Sequence, residues 1–416
     1  MQKNPFSYIF TVTLIITLSV MTGCKRDVEN KIWNPESFND KPNPTITSIQ
    51  PADETYSGVG ILNITGTNFS TNPSENHIYF NAKEGTVISA SETGLQVKTA
   101  NILDMITPRE DSVAVKLRVD GAILFAEYQG KYTYYIDFVN LALEYGGFDN
   151  YDNLSAIACD SAENLYLTSD RTVFKVEKDS VKKEFTTLLA VAAKSMKVGP
   201  QGYLYYVQNI AMFRIPPEGG SDPAWFVVFA NPVNDLDFDS DGKIYAGGED
   251  GQIYKVDIEN KTSDIVASYD SMEVVSIRVY DNAVYCVNRY IGNNRPASVP
   301  YMGVWKNNIS GGSLGPNELV VNWDEYTGNS GAEITSITFS SEGEMFIGAD
   351  AGDALTIRDP GGTMEPFYSE ILYPPTRKMN WGNDKYLYII GANDKGEQRV
   401  VRIDMLERRG APYYGR

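Results

Sequence analysis

The sequence predicts an all-β protein with two folded domains, a small antiparallel sandwich followed by a larger domain of repeated sheets. Three observations support this prediction. Short alternating or β-branched segments separated by turn residues begin at Pro44. Further strand-like segments then recur at intervals of about 40 residues. The chain of 416 residues, 42% apolar and 12% aromatic, is long enough to bury more than one core.

The first 24 residues have the pattern of a processing signal. Lys3 lies in a short polar start, the apolar run YIFTVTLIITLSVM follows, and the segment ends in TGC at Cys24. This apolar run is too short, and ends too abruptly, for a typical transmembrane helix. It resembles a bacterial lipoprotein signal peptide, which implies cleavage and lipidation at Cys24. Residues 25–43, rich in polar residues, Pro and Asn, would then form a flexible tether.

The composition argues against several classes of partner. The formal net charge of −18 repels phosphate backbones, so we expect no nucleic-acid partner. It also repels anionic membrane surfaces, so any membrane contact is expected through the lipid anchor only. After processing only Cys159 and Cys286 remain, and both lie in apolar strand patterns. We expect two small buried side chains and not a disulfide framework.

Residues 44–135 are predicted to form the sandwich. The segment opens with PTITSIQP, and ITGTNF follows about fifteen residues later, between short strands with turn residues. These motifs resemble those of the IPT/TIG family of immunoglobulin-like domains, which implies an antiparallel β-sandwich. The stretch ETYSGVG departs from the family's glycine-rich turn, which alters a loop and not the fold. The only histidine, His77, has no cysteine or second histidine with which to form a zinc site.

Residues 136–416 contain six repeats. Each repeat has a first strand with an apolar anchor, then a turn and an aromatic strand; the anchors are Ile157, Met196, Leu236, Ile277, Ile337 and Met379. A period near 40 residues built only from strands is typical of a β-propeller with one four-stranded blade per repeat. The sequence therefore predicts six blades and resembles NHL-like and other six-bladed propellers. The last repeat lacks a fourth strand, so we expect residues near 137–145 to complete blade six.

The stretch DFDSDGKIYAGG, which begins at Asp237, could be a calcium loop or an ordinary hairpin. It has the D-x-D-x-D-G start of a calcium-binding loop, but Gly248 stands at the twelfth position, where a bidentate Glu is needed. The aligned repeats place DSDG in the hairpin between the first and second strands, where Asp and Gly suit a tight turn. We expect a turn with no metal and no cofactor, and calcium is the alternative.

Blade four, the longest repeat, carries the candidate ligand-binding loops. Strand direction alternates within a blade, so its loops 289–301 and 322–333 are expected on one face, with the loop leading into blade six. Aromatic rings stack on sugar faces while Arg, Asn and Asp bind hydroxyls. The candidate residues are Arg289, Tyr290, Arg295, Tyr301, Trp305, Trp323, Tyr326, Tyr368, Tyr373 and Arg377. The alternative is that these rings only pack the long loops against the blade.

The residue after each anchor is expected to line the central channel. These residues are Ala158, Lys197, Asp237, Arg278, Thr338 and Asn380. Acidic and basic groups are mixed in this set, so mutual neutralisation in a narrow channel is the simplest interpretation. A bound small ligand or ion is the alternative.

Catalytic motifs give little support for an enzyme. GGSLG at 311–315 fits G-x-S-x-G, but it lies between two strands, and the propeller contains no histidine. No blade turn contains the S-x-D-x-G-x-T-W box of sialidases. A lactonase-like hydrolase or a polysaccharide lyase remains an alternative. It predicts that Asp235, Asp237 and Glu333 converge in one pocket at the channel mouth.

These observations favour an envelope protein anchored in the outer membrane by its lipid, exposed at the cell surface or at the periplasmic face. The sandwich would be a spacer and the propeller the presenting head. Resemblance to lipoproteins with these two domains implies capture of a polysaccharide or oligosaccharide without catalysis, beside an outer-membrane importer complex. Besides the enzyme, a protein-binding scaffold is a second alternative, and it predicts a broad apolar patch on the rim.

Overall fold

The computed structural model describes residues 41–102, 112–128 and 135–415. It confirms an all-β fold in which an immunoglobulin-like sandwich is followed by a six-bladed β-propeller. The predicted signal segment, the lipidation site Cys24 and the predicted tether as far as residue 40 lie outside the described residues. Within the described ranges, no helix has the length and apolar character needed to cross a membrane.

The sandwich consists of two sheets. One contains, in order, β1 (Thr45–Gln50), β3 (Ile61–Thr67), β7 (Gly94–Lys98) and β6 (Thr86–Ser91). The other contains β2 (Glu54–Tyr56), β10 (Tyr135–Val139), β8 (Ser112–Val119), β4 (Asn76–Phe80) and β5 (Lys83–Glu84), with β9 (Ala126–Glu127) beside β8. A 3-10 turn, Pro73–Glu75, precedes β4. Strand β3 buries every second residue, so Leu62 and Ile64 enter the core with Ile49, Phe80 and Val97.

The propeller has six antiparallel blades, and each runs from an inner strand at the channel to an outer strand. Blade one contains β12 (Leu154–Cys159), β13 (Leu165–Ser169), β14 (Thr172–Val176) and β15 (Lys183–Thr187). Blade two contains β16 (Ser195–Val198), β17 (Leu204–Gln208), β18 (Ala211–Ile215) and β19 (Phe226–Val228), with a 3-10 turn, Pro200–Gly202, after β16. Blade three contains β20 (Val233–Phe238), β21 (Ile244–Gly248), β22 (Gln252–Asp257) and β23 (Thr262–Ser268).

The remaining three blades follow the same plan. Blade four contains β24 (Met272–Tyr280), β25 (Ala283–Tyr290), β26 (Met302–Ser310) and β28 (Glu318–Asn322), with the short β27 (Ser313–Leu314) paired to the end of β26. One helical turn, α1 (Trp323–Tyr326), follows β28. Blade five contains β29 (Ile334–Phe339), β30 (Met345–Ala349), β31 (Leu355–Arg358) and β32 (Met364–Pro366). Blade six contains β33 (Tyr373–Trp381), β34 (Tyr386–Ala392), β35 (Gln398–Asp404) and β11 (Ala142–Glu144).

Strand β11 closes the ring. It precedes blade one in the chain but pairs antiparallel with β35, the third strand of blade six. Residues 142–144 of the segment predicted near 137–145 therefore complete the last blade, whereas residues up to 139 belong to the sandwich, so the predicted domain boundary at 135/136 is corrected to a point after 139. The preceding strand, β10, belongs to the sandwich, because it pairs with β2 and β8. The inner strands of successive blades also contact one another around the ring, including β12 and β33.

The apolar core of the propeller lies between neighbouring blades. Six buried clusters occur, one for each pair of adjacent blades. All six sequence anchors are buried in these clusters. Because successive side chains of a strand point to opposite faces, the residues on either side of an anchor lie on the opposite face from it, and in blades two to six the residue after the anchor lines the channel. The repeat therefore positions two polar layers in the channel wall.

The hairpin within DFDSDG is a turn. Asp239 Oδ1 accepts hydrogen bonds from the backbone N–H groups of Asp241 and Lys243, at 3.0 and 2.8 Å, and Gly242 has a φ of 72°. This confirms the expected use of Asp and Gly in the turn. Across the described residues, no group of three or more His, Cys, Asp or Glu side chains could hold a metal ion. Cys159 and Cys286 are small buried side chains, as the strand patterns predict.

The two domains meet at the loop that leads into blade six. Lys98 of the sandwich forms an ion pair with Glu370, and Asn101 Nδ2 donates to the backbone oxygen of Glu370 at 2.8 Å. Gly58, at a φ of 76°, lies so close to Ile371 that an added Cβ would come within 2.6 Å of its Cγ2. Polar contacts and close packing therefore both join the domains.

Candidate functional site

The two expanded loops of blade four are joined by one carboxylate. The first connects β25 to β26, and the second contains α1, whose first turn is capped by the Asn322 side chain accepting from the Glu325 N–H. Asp324 accepts hydrogen bonds from the backbone N–H groups of Tyr301 and Met302, at 2.6 and 3.1 Å. It also forms an ion pair with Arg295 at 3.0 Å. The structure thus brings the two loops together on one face.

A charged network fixes the inner side of these loops. Arg289 forms ion pairs with Glu273 and Glu333, at 2.6 and 2.7 Å, and the Tyr301 hydroxyl donates to Glu333 at 2.8 Å. Although partial burial opposes the charged guanidinium, the two carboxylates raise the pKa of Arg289. The same hydrogen bond to Glu333 raises the pKa of Tyr301. This network holds Tyr301, whose side chain is 38% exposed, in place on the rim.

A groove lies between blades four and five, and we refer to it as the blade-four groove. Its walls include α1, the segment after it and the loop between β30 and β31; the lining residues are Trp323, Tyr326, Thr327, Ser330, Ala332, Ala351, Gly352, Asp353 and Thr356. Trp323 is buried and donates through Nε1 to the oxygen of Ala332 at 2.9 Å, and its ring lies 5.2 Å from that of Tyr326. The partly buried Tyr326 is thereby held against a rigid support.

One polar group in this groove is unsatisfied. Thr356 is 1% exposed, and its hydroxyl has no hydrogen-bond partner within the described chain. A buried hydroxyl without a partner costs free energy. Because this oxygen is itself almost inaccessible, a ligand reaches it only if the groove side chains shift. Asp353 is the one ionisable side chain among the lining residues besides the Tyr326 phenol. The groove combines a supported ring with hydroxyl and carboxylate groups, which fits a binding role.

Four of the residues predicted as ligands lie elsewhere. Trp305 is 7% exposed and packs edge-on against Tyr269 in the core between blades three and four, so its ring does not face a ligand. Tyr373 lies at the domain junction, where its hydroxyl is 3.3 Å from Asn101 Nδ2. Tyr368 stacks on Phe367 in the core between blades five and six. Arg377 is exposed on β33 of blade six, outside the groove lining.

Among the blade-four residues, Trp323 and Tyr326 line the groove, whereas Arg289, Arg295 and Tyr301 belong to the charged network beside it and are not lining residues. Tyr290 donates its hydroxyl to the oxygen of Asn294 at 2.8 Å and so stabilises its own loop. Sequence reasoning missed the contribution of blade five, Ala351–Thr356. No signal in the repeat identifies it, because the groove forms only where loops from two blades meet.

The channel wall contains two polar layers. The residues after the anchors, which the sequence predicts to line the channel, form the layer that we call lower. The upper layer consists of the polar residues before five of the anchors: Ser195, Asp235, Ser276, Ser336 and Lys378. In blade one, Ala156 and the predicted channel residue Ala158 instead pack in the core between blades one and two. Asp235 is the centre of the upper layer, accepting from the Ser195 and Ser276 hydroxyls and, at 3.0 Å, from the Ile277 N–H. Although burial disfavours the carboxylate, Lys378, Arg278 and Lys197 together lower the pKa of Asp235 well below its usual value.

The lower layer encloses a small cavity. Lys197, Asp237, Arg278, Thr338 and Asn380 all line it, and each is at most 8% exposed. Burial lowers the pKa of Lys197 to about 7 and raises the pKa of Asp237. Asp237 Oδ2 accepts from the Val279 N–H at 2.9 Å, whereas Oδ1 has no partner among the described residues. Charge neutralisation is therefore incomplete in this layer.

The C-terminal segment covers the lower end of the channel. Ala411 donates its N–H to the oxygen of Phe339 at 3.0 Å, and the Tyr413 hydroxyl donates to the oxygen of Val198 at 2.8 Å. The ammonium of Lys197 lies 5.9 Å from the centre of the Tyr413 ring. Ala411, Pro412 and Tyr413 therefore form one wall of the cavity.

The alternative functions make structural predictions that can be compared with these sites. The carboxylates of the enzyme hypothesis do not line one pocket, because Asp237 faces the channel cavity while Glu333 is held on the rim by Arg289. The scaffold hypothesis predicts a broad apolar patch on the rim. Exposed apolar side chains in the described propeller occur on loops and outer strands, as at Val191, Phe226 and Ile265, and the outer strands of blades two and three contact each other.

Comparisons with known proteins agree with this architecture. The IPT/TIG domain family matches residues 44–134. A solved structure from Bacteroides thetaiotaomicron, provisionally assigned as a phosphatase, has a TM-score of 0.53 at 11% identity and covers 90% of this chain and 99% of its own. A luciferin-regenerating enzyme has a TM-score of 0.50 at 12% identity, covering 66% of this chain and 98% of its own. At such identities the similarity concerns the fold alone.

A third solved structure, an auxiliary nutrient binding protein from Bacteroides thetaiotaomicron, has a TM-score of 0.49 at 10% identity. It covers 88% of this chain and 99% of its own. The search of curated proteins found no significant match.

Proposed function

We propose that this protein is a lipid-anchored, non-catalytic binding protein whose propeller holds a polysaccharide or oligosaccharide in the blade-four groove. The observation that supports this proposal most directly is the pairing of a supported aromatic ring, Tyr326, with the Ser330 hydroxyl and the Asp353 carboxylate in one groove. Sugars present apolar C–H faces to rings and hydroxyls to polar partners, so both features suit the same ligand.

The geometry also favours binding over catalysis at this groove. A glycosidase needs two carboxyl groups on either side of the scissile bond, and Asp353 is the one carboxylate in the lining. The hydroxyl groups of Thr327 and Ser330 are suited to hydrogen bonding and not to proton transfer. Asp353 carries no neighbouring cation in the lining, which favours neutral or amino sugars over acidic ones.

On this proposal the predicted lipid anchor at Cys24 holds this activity at the outer membrane. A tethered binding protein retains a glycan near the membrane by raising its local concentration there. On this proposal the partner is an outer-membrane importer that receives the captured glycan. Exposure at the cell surface is the location that such capture requires, because long glycans do not cross the outer membrane unaided.

The test is binding of the soluble chain, residues 25–416, to a panel of neutral and acidic polysaccharides by affinity electrophoresis and calorimetry. We expect retardation by at least one neutral glycan. Tyr326→Ala should reduce its affinity about tenfold, which corresponds to about 1.4 kcal/mol. Thr356→Val removes the hydroxyl and keeps the shape, so a smaller loss is expected from this variant.

The matched control is Tyr151→Ala, which removes a tyrosine that is 90% exposed and outside the groove. Its affinity should equal that of the unchanged chain. Trp323→Ala is less informative because its buried ring supports the fold of the loop, so its thermal unfolding must be measured beside its binding. Absence of binding across the panel, or equal losses in Tyr326→Ala and Tyr151→Ala, would refute the proposal and favour a protein partner.

A further inference from the structure

An exposed apolar loop lies in the sandwich domain. Ile123, Leu124 and Phe125, which we call the apolar loop, lie between β8 and β9 and are 61%, 60% and 52% exposed. The ring of Phe125 contacts only the edge of Tyr79, with centroids 6.5 Å apart, among the described aromatic pairs. Three consecutive apolar side chains at this exposure favour contact with another apolar surface.

The segment that leads from Cys24 joins the sandwich at this loop. Asn43 Oδ1 accepts from the backbone N–H groups of Ile123 and Leu124, at 3.2 and 2.9 Å. The N–H of Lys41 donates to the oxygen of Gly121 at 3.3 Å. Any anchor attached at Cys24 is therefore connected to the end of the domain that carries the apolar loop.

This end of the sandwich is opposite the propeller contacts. Strand β3 begins at Ile61, which pairs with Lys98, and ends at Thr67, which pairs with Thr45 beside Asn43. Lys98 forms the ion pair to Glu370 of the propeller. The length of β3 thus separates the propeller from the apolar loop, so both can be engaged at the same time.

The charges around the apolar loop are balanced, although the chain as a whole carries −18. The nearby ion pairs are Lys41–Glu75 at 3.0 Å, Lys116–Glu127 at 2.8 Å and Arg118–Asp120 at 3.0 Å. Paired charges reduce the repulsion that an acidic protein would experience at a membrane surface. The local surface is thus compatible with a lipid headgroup layer.

We infer that the apolar loop is a membrane-docking surface, and that its partner is the interfacial layer of the bilayer in which the chain is anchored. The inference rests on the lipid anchor proposed above. Insertion of Ile123, Leu124 and Phe125 among the headgroups orients the sandwich with its propeller end outward. The anchor then supplies attachment, and the loop supplies orientation.

The test uses fluorescent labels, because the native Cys159 and Cys286 are buried and the soluble chain lacks Cys24. Residues 25–416 with an N-terminal hexahistidine are attached to phosphatidylcholine vesicles that contain a nickel-chelating lipid and brominated acyl chains. One variant carries a label at Leu124→Cys. The matched control carries it at Ile265→Cys, on the outer strand of blade three, where the native side chain is 54% exposed.

We expect the bromines to quench more than about half of the fluorescence at position 124 and less than about a tenth at position 265, because only the loop reaches the acyl boundary. Adding Ile123→Asp to the labelled chain should abolish the quenching at 124, whereas Val228→Asp on the propeller should not. Equal quenching at both positions, or none at 124 when the chain fully cosediments with vesicles, overturns the inference.

The nickel lipid replaces the natural anchor, so this result does not depend on processing of Cys24 or on glycan binding. Metabolic labelling with palmitate, compared with Cys24→Ser, tests the anchor separately. Failure of that labelling overturns the lipid anchor and the biological role of the loop. Absence of quenching overturns the docking loop alone.

Discussion

Lys197→Met is expected to change how the stability of the propeller depends on pH. Lys197 is 3% exposed in the lower channel layer, and burial lowers its pKa from 10.5 to about 7. The groups that act on it are Arg278 and Lys378, which lower the pKa, and Asp237 and Asp235, which raise it. Burial outweighs the two carboxylates, so the folded protein holds this ammonium at a free-energy cost.

The sign of the pH dependence follows from proton binding. Below about pH 7 both states bind the proton and the full cost is present, about 5 kcal/mol at about 1.4 kcal/mol per pH unit. Between pH 7 and 10.5 the unfolded chain binds a proton that the folded chain does not. The free energy of unfolding therefore rises with pH, by about 2 kcal/mol from pH 7 to pH 9.

The measurement is urea unfolding at pH 7 and pH 9, followed by tryptophan fluorescence. Lys197→Met keeps the shape and removes the charge, so this variant should lose the rise of about 2 kcal/mol that Lys197 contributes. The control Lys183→Met, at a side chain 69% exposed, should keep it. Identical pH dependence in the native chain and in Lys197→Met would show that the buried amine keeps its proton up to pH 9, and the reasoning would be wrong.

Three further predictions concern stability. Deleting residues 412–416 should lower the free energy of unfolding by about 2–4 kcal/mol. It should also make Lys197 reactive to acetylating reagents, and mass spectrometry detects the acetylated residue. An unreactive Lys197 would contradict the closing role of this segment. Trp305→Ala should cost about 3–5 kcal/mol in urea unfolding while the folded protein keeps its glycan affinity, and a specific loss of affinity would restore Trp305 to the site. Asp235→Asn should cost about 3–5 kcal/mol by the same assay because Arg278 loses its partner carboxylate; an unchanged midpoint would show that the channel charges are solvated.

The architecture could be predicted because it is repeated. The anchor in each first strand fixes the direction in which the neighbouring side chains point. The alignment that identified Lys197 and Asp237 as channel residues therefore also contained the upper layer, one residue before the anchor, as at Asp235 and Lys378. The turn at Asp239 could be predicted for the same reason, since its position in the repeat outweighs its resemblance to a calcium loop. Periodicity thus carries information about every residue that lies on a blade strand.

The ligand site could be predicted only in part, because its geometry depends on contacts between blades. Tyr326 was identifiable as an aromatic residue in an expanded loop, but Thr356 joins it only through the packing of blade five. Trp305 was predicted as a ligand residue because it was grouped with the loop that precedes its strand. Strand β26 instead directs its ring into the core. The hydroxyl of Tyr373 contacts Asn101 of the sandwich, so this residue lies at the domain junction and not in the groove. Local sequence does not show such a contact between domains.

The orientation of the groove relative to the membrane follows from how the domains are joined. A spacer can direct a binding face only if its junction with that face resists rotation. In this chain Lys98 and Asn101 both bind Glu370, while Gly58 packs against Ile371 without room for a Cβ. These contacts hold the loop that leads into blade six, which lies on the same face of the propeller as the blade-four loops. An apolar loop docked at the opposite end of the sandwich would therefore fix the direction in which Tyr326 and its groove are presented.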